Sequence, residues 1–392
     1  MLDVPSGSSM TLDAMAFSST ASFRGIKYLK PGLHLFTYGL DKSELGMRTG
    51  FFFKAKPGDV LALKWDKNTE QLVRLEERVE GHALEERLLS LHPYLTTFRS
   101  ESEDIQTSWT DLTSHITPDI LNRILPASWT FTSQTPSTSD ASADQLSNLP
   151  SSRSEEKLNF TPVDPKRTFN PNAIGRDRTD QILDKSYYLE SLLQNLPDEL
   201  SILGELQLSF LTVLYMNNFS GFETWKNIFT IFCGCSSALR PRERLFREFL
   251  TVSRQQFEVC SEETFNEVIL EGNFVAENLR VSDWNFTTNI EALNAAIEEM
   301  DPKSATLEFS FAQLTALLNA KFSWNPGYRA TGKQGGGVDE NDWDREVGEY
   351  APEVVDLESD EDIMDEDINF GERTTLAGHM DMKTGKMVFS SR

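Results

Sequence analysis

Apolar positions in the first third of the chain repeat with a period of two. Leu33, Leu35 and Thr37 alternate with His34, Phe36 and Tyr38, the pattern of a pleated strand, and Pro31-Gly32 supplies a turn before it. Phe51, Phe52 and Phe53 are strand-prone. Lys56-Pro57-Gly58-Asp59 then turns the chain into Val60–Trp65, which predicts a hairpin. Such a sheet is apolar on both faces and needs cover. Leu72, Leu75, Val79, Leu84 and Leu88 recur at three to five residues and predict an amphipathic helix, weakened by Gly81. Trp109, Leu112 and Ile116 predict a second helix. Pro118 opens a third with Ile120, Leu121 and Ile124, and Pro126 ends it.

From about residue 159 the period changes to that of a helix. Leu203, Leu206, Phe210, Val213 and Leu214 form one stripe that ends at Asn217-Asn218. Phe222, Trp225, Phe229 and Phe232 form the next. Pro241 precedes a third carrying Leu245, Phe249 and Val252, with Phe246 and Leu250 beside them. Ser261-Glu262-Glu263-Thr264 resembles a helix start before Phe265, Val268 and Ile269. Two further stripes run from Ile290 to Met300 and from Phe311 to Phe322. Short helices with short loops predict a helical bundle.

Two stretches interrupt these patterns. Between Phe131 and Leu158 there are eight serines and few large apolar residues, too little burial to offset ordering entropy. Between Asp339 and Asp367, fifteen carboxylates against Arg345 alone hold fourteen of the chain's 24 net negative charges. Charge of that density opposes compaction, and Gly335-Gly336-Gly337 marks a flexible entry. The expected fold class is therefore α+β. A mainly β amino-terminal domain (1–130), a sandwich-like sheet with a few covering helices, is followed by a serine-rich disordered linker (131–158). An all-α helical bundle (159–330) and a disordered acidic tail (331–392) complete the chain.

Charge and composition narrow the function. A net charge of −24 opposes broad binding to nucleic-acid backbones and adsorption to anionic membranes. Cys233, Cys235 and Cys260 are too few for a disulfide framework and suit a reducing compartment. No secretory signal and no membrane span is expected.

The search for chemistry finds little. His34, His82, His92, His115 and His379 never pair at metal-ligand spacing, and Cys233-Gly234-Cys235 lacks a second pair to hold zinc. Cys233 is expected to pack beneath Phe229 and Phe232. Thr331-Gly332-Lys333 does not follow the order of a phosphate loop. Glu262-Glu263, Glu298-Glu299 and Asp66 read as solvated charges, and His34 as a packed residue rather than a base. No metal, cofactor or catalytic residue is expected.

One feature is not explained by packing. Tyr350, Ala351, Pro352, Val354, Val355 and Leu357 form a β-prone apolar patch inside the acidic stretch. Such segments add a strand to the sheet edge of another protein.

Several blocks, in order, resemble the Aar-two splicing-factor family. They are Phe23-Arg24-Gly25-Ile26-Lys27 with Pro31-Gly32-Leu33-His34, Arg48 with Gly50-Phe51-Phe52, Trp65, and Leu203-Gly204-Glu205-Leu206-Gln207 with Phe210. Phe222-Glu223 with Trp225-Lys226, Asn273-Phe274, Lys321-Phe322 with Trp324, and the tail block Tyr350–Val355 continue the series. Thr11-Leu12-Asp13 stands where the family carries Gly-Ile-Asp, and Glu353 interrupts the tail's run of valines. The resemblance implies a non-enzymatic assembly chaperone in pre-mRNA splicing, monomeric when free and found in nucleus and cytoplasm. Its implied partner is the large scaffold protein of the U-five small nuclear ribonucleoprotein, held through RNase H-like and Jab1/MPN-like domains while helicase docking is blocked. Ser359, followed by acidic residues, is a candidate phosphorylation site. Two other readings stay open: a modifier-reading adaptor, because Val354–Leu357 followed by acids resembles a SUMO-interacting motif, and an enzyme with an interdomain cleft.

Overall fold

The computed structural model of the chain describes residues 1–39, 47–75, 90–98, 103–138, 157–274, 279–280, 284–324, 377–380 and 387–390. Residues 1–329 form one compact unit. Its amino-terminal region is built on a five-stranded antiparallel sheet. The strands are β1 (Ser9–Leu12), β2 (Met15–Ser18), β4 (Gly32–Gly39), β5 (Thr49–Ala55) and β9 (Thr130–Thr132), in the order β2-β1-β4-β5-β9. The predicted strand at 33–38 is thus the centre of the sheet, and its alternation divides the residues between two faces. Leu35, Phe52 and Phe131 belong to a large core shared with the helices. Phe36, Tyr38, Phe51 and Phe53 belong to a smaller core with Met10, Leu12, Phe23, Leu63 and Trp65. Both faces are covered, which is why β4 is buried along most of its length.

The turn at Lys56–Asp59 forms as expected, with the Asp59 amide donating to the Lys56 carbonyl at 3.1 Å. The strand after it does not pair back on β5. β6 (Leu63–Asp66) pairs with β7 (Gln71–Arg74) as a separate antiparallel ribbon. Leu72 therefore lies on a strand, not on the predicted helix. The turn between these strands is set by Asp66, whose carboxylate accepts from the Asn68 amide at 2.9 Å and the Thr69 hydroxyl at 3.0 Å. That side-chain competition for backbone groups favours a turn over helical continuation. Val79, Leu84 and Leu88 of the same prediction lie outside the described residues. A parallel pair, β3 (Gly25–Lys27) with β8 (Leu95–Thr97), completes the region. The two predicted helices are present as α1 (Glu103–Leu112) and α2 (Pro118–Ile124). Thr117 caps α2 by accepting from the Ile120 amide.

The carboxy-terminal region is helical. Its elements are α3 (Gly175–Leu183), α4 (Ser186–Gln194), α5 (Ser201–Met216), α6 (Phe219–Cys233), α7 (Glu243–Val259), a π-helical stretch (Thr264–Leu270), α8 (Phe286–Glu298) and α9 (Ala305–Phe322). The predicted stripes are its core. Trp225 is fully buried, stacks on Phe229 with ring centroids 5.0 Å apart, and donates its indole hydrogen to Gln256 at 2.9 Å. Phe232 stacks on Phe249 at 4.4 Å, and Phe265 on Phe322 at 3.9 Å. Asn217 ends α5 in the left-handed conformation, φ 51°, which asparagine tolerates. A short ribbon, β10 (Asn273–Phe274) with β11 (Leu279–Arg280), lies between the π-helical stretch and α8.

The ends of the serine-rich segment are structured. Phe131 and Ser137 are buried, and Ser137 bridges to Leu158. Residues 139–156 lie outside the described residues. In the unit spanning residues 330–392, β12 (Ala377–Met380) pairs antiparallel with β13 (Met387–Ser390).

Candidate functional site

One motif block, Leu203–Gln207, lies on a seam where the sheet region meets the helices. α5 carries the Leu203–Gln207 block, and every turn of it is buried. Gln207 accepts from the His115 amide at 2.8 Å and donates to the Asp111 carbonyl at 2.8 Å and the Ser114 hydroxyl at 3.0 Å. It thereby satisfies the backbone at the carboxy-terminal end of α1, where helix carbonyls lose their partners. Glu205 is fully buried. It accepts from the Thr161 amide at 2.8 Å and the Thr161 hydroxyl at 2.6 Å. The Arg123 guanidinium from α2 lies 2.8 Å from the same carboxylate. A buried charge is stable only when paired and hydrogen-bonded on this scale.

Asn218 closes the seam at its other end. Its side-chain oxygen caps α6 through the Gly221 amide at 2.7 Å. Its amide nitrogen donates to the carbonyls of Thr132, Ser133 and Thr135 at 3.0–3.2 Å, clamping the segment after β9. Trp109 donates to the Leu33 carbonyl at 2.8 Å, tying α1 to β4. At the far end of the helical region, Lys321 donates to the carbonyls of Phe257 and Glu258, the last turn of α7.

A second pair joins two separate blocks of the sequence. His34 Nδ1 meets Asp13 Oδ2 at 2.8 Å, and both side chains are buried. Asp13 Oδ1 accepts from the Leu35 amide at 3.0 Å, and His34 Nε2 lies 2.7 Å from the Lys30 carbonyl. Burial alone pushes the imidazole toward neutrality, but the hydrogen bond and charge of Asp13 outweigh it and hold its pKa above the ordinary 6.5. A raised folded-state pKa gives stability that is complete below pH 6.5 and is lost as pH rises through the folded value. Urea unfolding is therefore expected to show stability falling from pH 6 to pH 8.5, and His34→Gln should flatten that slope. An unchanged slope in the variant would assign the effect elsewhere. The pair is a strut and not a catalytic dyad, because it is enclosed by Phe53 and Phe98 and both imidazole nitrogens are engaged.

The three cysteines are buried, with thiol pKa values pushed up by burial, Cys260 to about 12. They sit as packed apolar groups. Among the described residues no group of three His, Cys, Asp or Glu could hold a metal ion. No described helix is long and apolar enough to cross a membrane. Tyr350, Ala351, Pro352, Val354, Val355, Leu357 and Ser359 lie outside the described residues, as does Thr331-Gly332-Lys333.

Comparison with known proteins finds two matched regions. The AAR2 N-terminal domain model matches residues 1–126, and the AAR2 C-terminal repeat region model matches residues 160–327. The chain belongs to the AAR2 family. The protein named AAR2 homolog in Caenorhabditis elegans is 26% identical over 354 residues, covering 83% of this chain and 93% of the relative. The mouse and human proteins of that name are 25% and 24% identical, each covering 83% of this chain and 88% of the relative. The seam falls where the two matched AAR2 regions adjoin. Glu205, Gln207 and Asn218 from the second region hold backbone or side chains between residues 111 and 161. Sequence reasoning placed Glu205 and Gln207 in a motif but had no signal for their partners, which are 44 to 96 residues away.

Proposed function

We propose that this AAR2-family chain is a non-enzymatic assembly factor in pre-mRNA splicing, acting in nucleus and cytoplasm. The observation that carries the reading is the match of both AAR2 regions, in order, across most of residues 1–327. The motif residues support it by where they lie. Glu205 and Gln207 fuse the sheet region and the helices into one body, as suits a rigid protein-binding platform better than a cleft that turns over substrate. The partner in this reading is the large U-five scaffold protein, met at its RNase H-like and Jab1/MPN-like domains. The segment from Tyr350 to Leu357 adds a strand to the partner, and occupancy excludes the helicase until release. A strand gains main-chain hydrogen bonds along its length and side-chain pockets on alternate residues, so removing it removes both.

Binding of the full chain and of a version ending at Ala330 to the isolated scaffold domains tests this. Truncation is expected to weaken binding by at least about tenfold, because the tail and the folded unit are linked contacts to one client. Equal affinity would remove the tail from the mechanism, and absence of scaffold binding by the full chain would overturn the partner. Ser359→Asp and Ser359→Ala should then differ in affinity, since a phosphate adds roughly −1.5 to −2 charge beside the strand segment.

A further inference from the structure

The sheet region carries a surface cluster that neither the seam nor the tail uses. The pairing of β3 with β8 brings Lys27 and Tyr28 beside His92, and the Tyr94 carbonyl accepts from the Arg24 amide at 3.2 Å. Tyr28 is 67% exposed and Tyr94 is 54% exposed, although aromatic rings ordinarily bury. Lys27 Nζ sits 5.6 Å from the centre of the Tyr28 ring and donates to the His92 carbonyl at 3.2 Å. The Tyr28 hydroxyl lies 3.4 Å from His92 Nε2. Lys30 is exposed two residues further along the chain.

Two further observations show that the cluster is built. Tyr28 has φ 63°, a left-handed conformation that costs a bulky residue energy and that glycine would adopt freely. Tyr28 gains only surface contacts with Lys27 and His92 against this strain, and such strain concentrates at functional positions. The charge is also out of character. Residues 21–39 and 90–98 contain Arg24, Lys27 and Lys30 but no carboxylate, in a chain with 61 acidic residues among 392. Among the described residues the cluster carries cations and exposed rings, and its complement is negative.

We propose that Lys27, Tyr28, Lys30, His92 and Tyr94 form a docking surface for an extended acidic peptide segment of a partner protein. Carboxylates of that segment meet Lys27, Lys30 and His92, and its apolar positions lie on the rings of Tyr28 and Tyr94. The outer edge of β8, unpaired among the described residues, offers main-chain hydrogen bonds alongside. Nucleic acid fits less well, because two or three cations release few counterions and the chain's net charge of −24 repels a polyanion at long range. The surface does not depend on the tail reading, since every residue in it lies between residues 27 and 94.

The test is fluorescence anisotropy with the full chain at low salt, using a labelled sixteen-residue peptide of alternating Glu and Val. The expected result is saturable binding that weakens with salt. Lys27→Glu with Lys30→Glu should cost at least about tenfold, while Lys54→Glu with Lys67→Glu, exposed lysines elsewhere on the sheet region, should cost less than about twofold. Tyr28→Gly should raise the melting temperature by relieving the left-handed strain and yet weaken the peptide, a combination that a purely structural role cannot produce. Absence of saturable binding, equal losses in the two double variants, or tighter binding of an oligouridylate than of the peptide would each overturn the proposal.

Discussion

Replacing Glu205 by alanine is expected to destabilise the folded unit by about 3–5 kcal/mol, on the order of 10 °C in Tm. The carboxylate is fully enclosed and answers three groups: the Thr161 amide, the Thr161 hydroxyl and the Arg123 guanidinium. Alanine leaves the Thr161 amide and hydroxyl without their acceptor and the Arg123 guanidinium without its counter-charge, although Arg123 keeps its hydrogen bond to the Thr161 hydroxyl at 3.2 Å. Arg123 is about one-third exposed, so it can recover some hydration, and the loss falls mainly on the half-buried Thr161 groups. Glu205→Gln keeps the shape and one acceptor and should cost less, about 1–3 kcal/mol. Arg123→Ala should fall between, and a double-mutant cycle should show coupling of about 0.5–3 kcal/mol, since the two side chains are in direct contact. Chemical denaturation of the four proteins measures these values. A cost below about 1 kcal/mol for Glu205→Ala would mean that the carboxylate does not hold the sheet region to the helices.

That prediction marks where sequence legibility ends. The stripes of α5 and α6 are readable because burial repeats locally, at steps of three and four, and each residue's role is decided by its own helix. The alternation along β4 is readable for the same reason. Glu205 and Gln207 are different. Inside an apolar helix their types announce that something polar lies opposite, but nothing local says what, because the partners reach them through loop closures of 44 to 96 residues. The pairing of Asp13 with His34 is hidden likewise, the one standing in the turn after β1 and the other on β4.

The error at Leu72 has another cause. Leucines at three- to five-residue steps satisfy a helical template, yet Asp66, Asn68 and Thr69 just upstream carry a stronger local instruction. The Asp66 carboxylate binds the Asn68 amide and the Thr69 hydroxyl, and Glu70 follows at φ 53°. A chain leaving such a turn returns along the strand it came from, and β7 pairs with β6 before any helix can start. The surface at Tyr28 and Tyr94 escaped pattern reading because exposure of an aromatic ring leaves no periodic trace.

Gly204→Ala and Gly221→Ala are expected to reverse a rule. In a helix interior, alanine is ordinarily better than glycine by about 1 kcal/mol. At Gly204, a new methyl would meet the His115 carbonyl oxygen and the Ile120 side chain closer than real side-chain contacts allow. At Gly221 it would meet the Thr212 hydroxyl, with the Ser209 carbonyl at 3.0 Å behind it. The obstacles are mostly backbone and buried side chains, so relief requires α5 to move off the α1–α2 connection, or α6 to move off α5. Overpacking of this kind costs about 1–3 kcal/mol or more, and the gained propensity offsets only part of it. Both variants should therefore melt below the parent, with Gly204→Ala also loosening amide protection in residues 111–121 under hydrogen exchange. Gly50 provides an internal comparison. Its added methyl would press on the Met216 thioether at 2.9 Å, the end of a flexible side chain, so Gly50→Ala should cost less than either helical substitution. If all three changes proved equally mild, close approach of α5 to the α1–α2 connection and of α6 to α5 would not be what Gly204 and Gly221 provide, and the rigidity assigned to the platform would lose its physical basis.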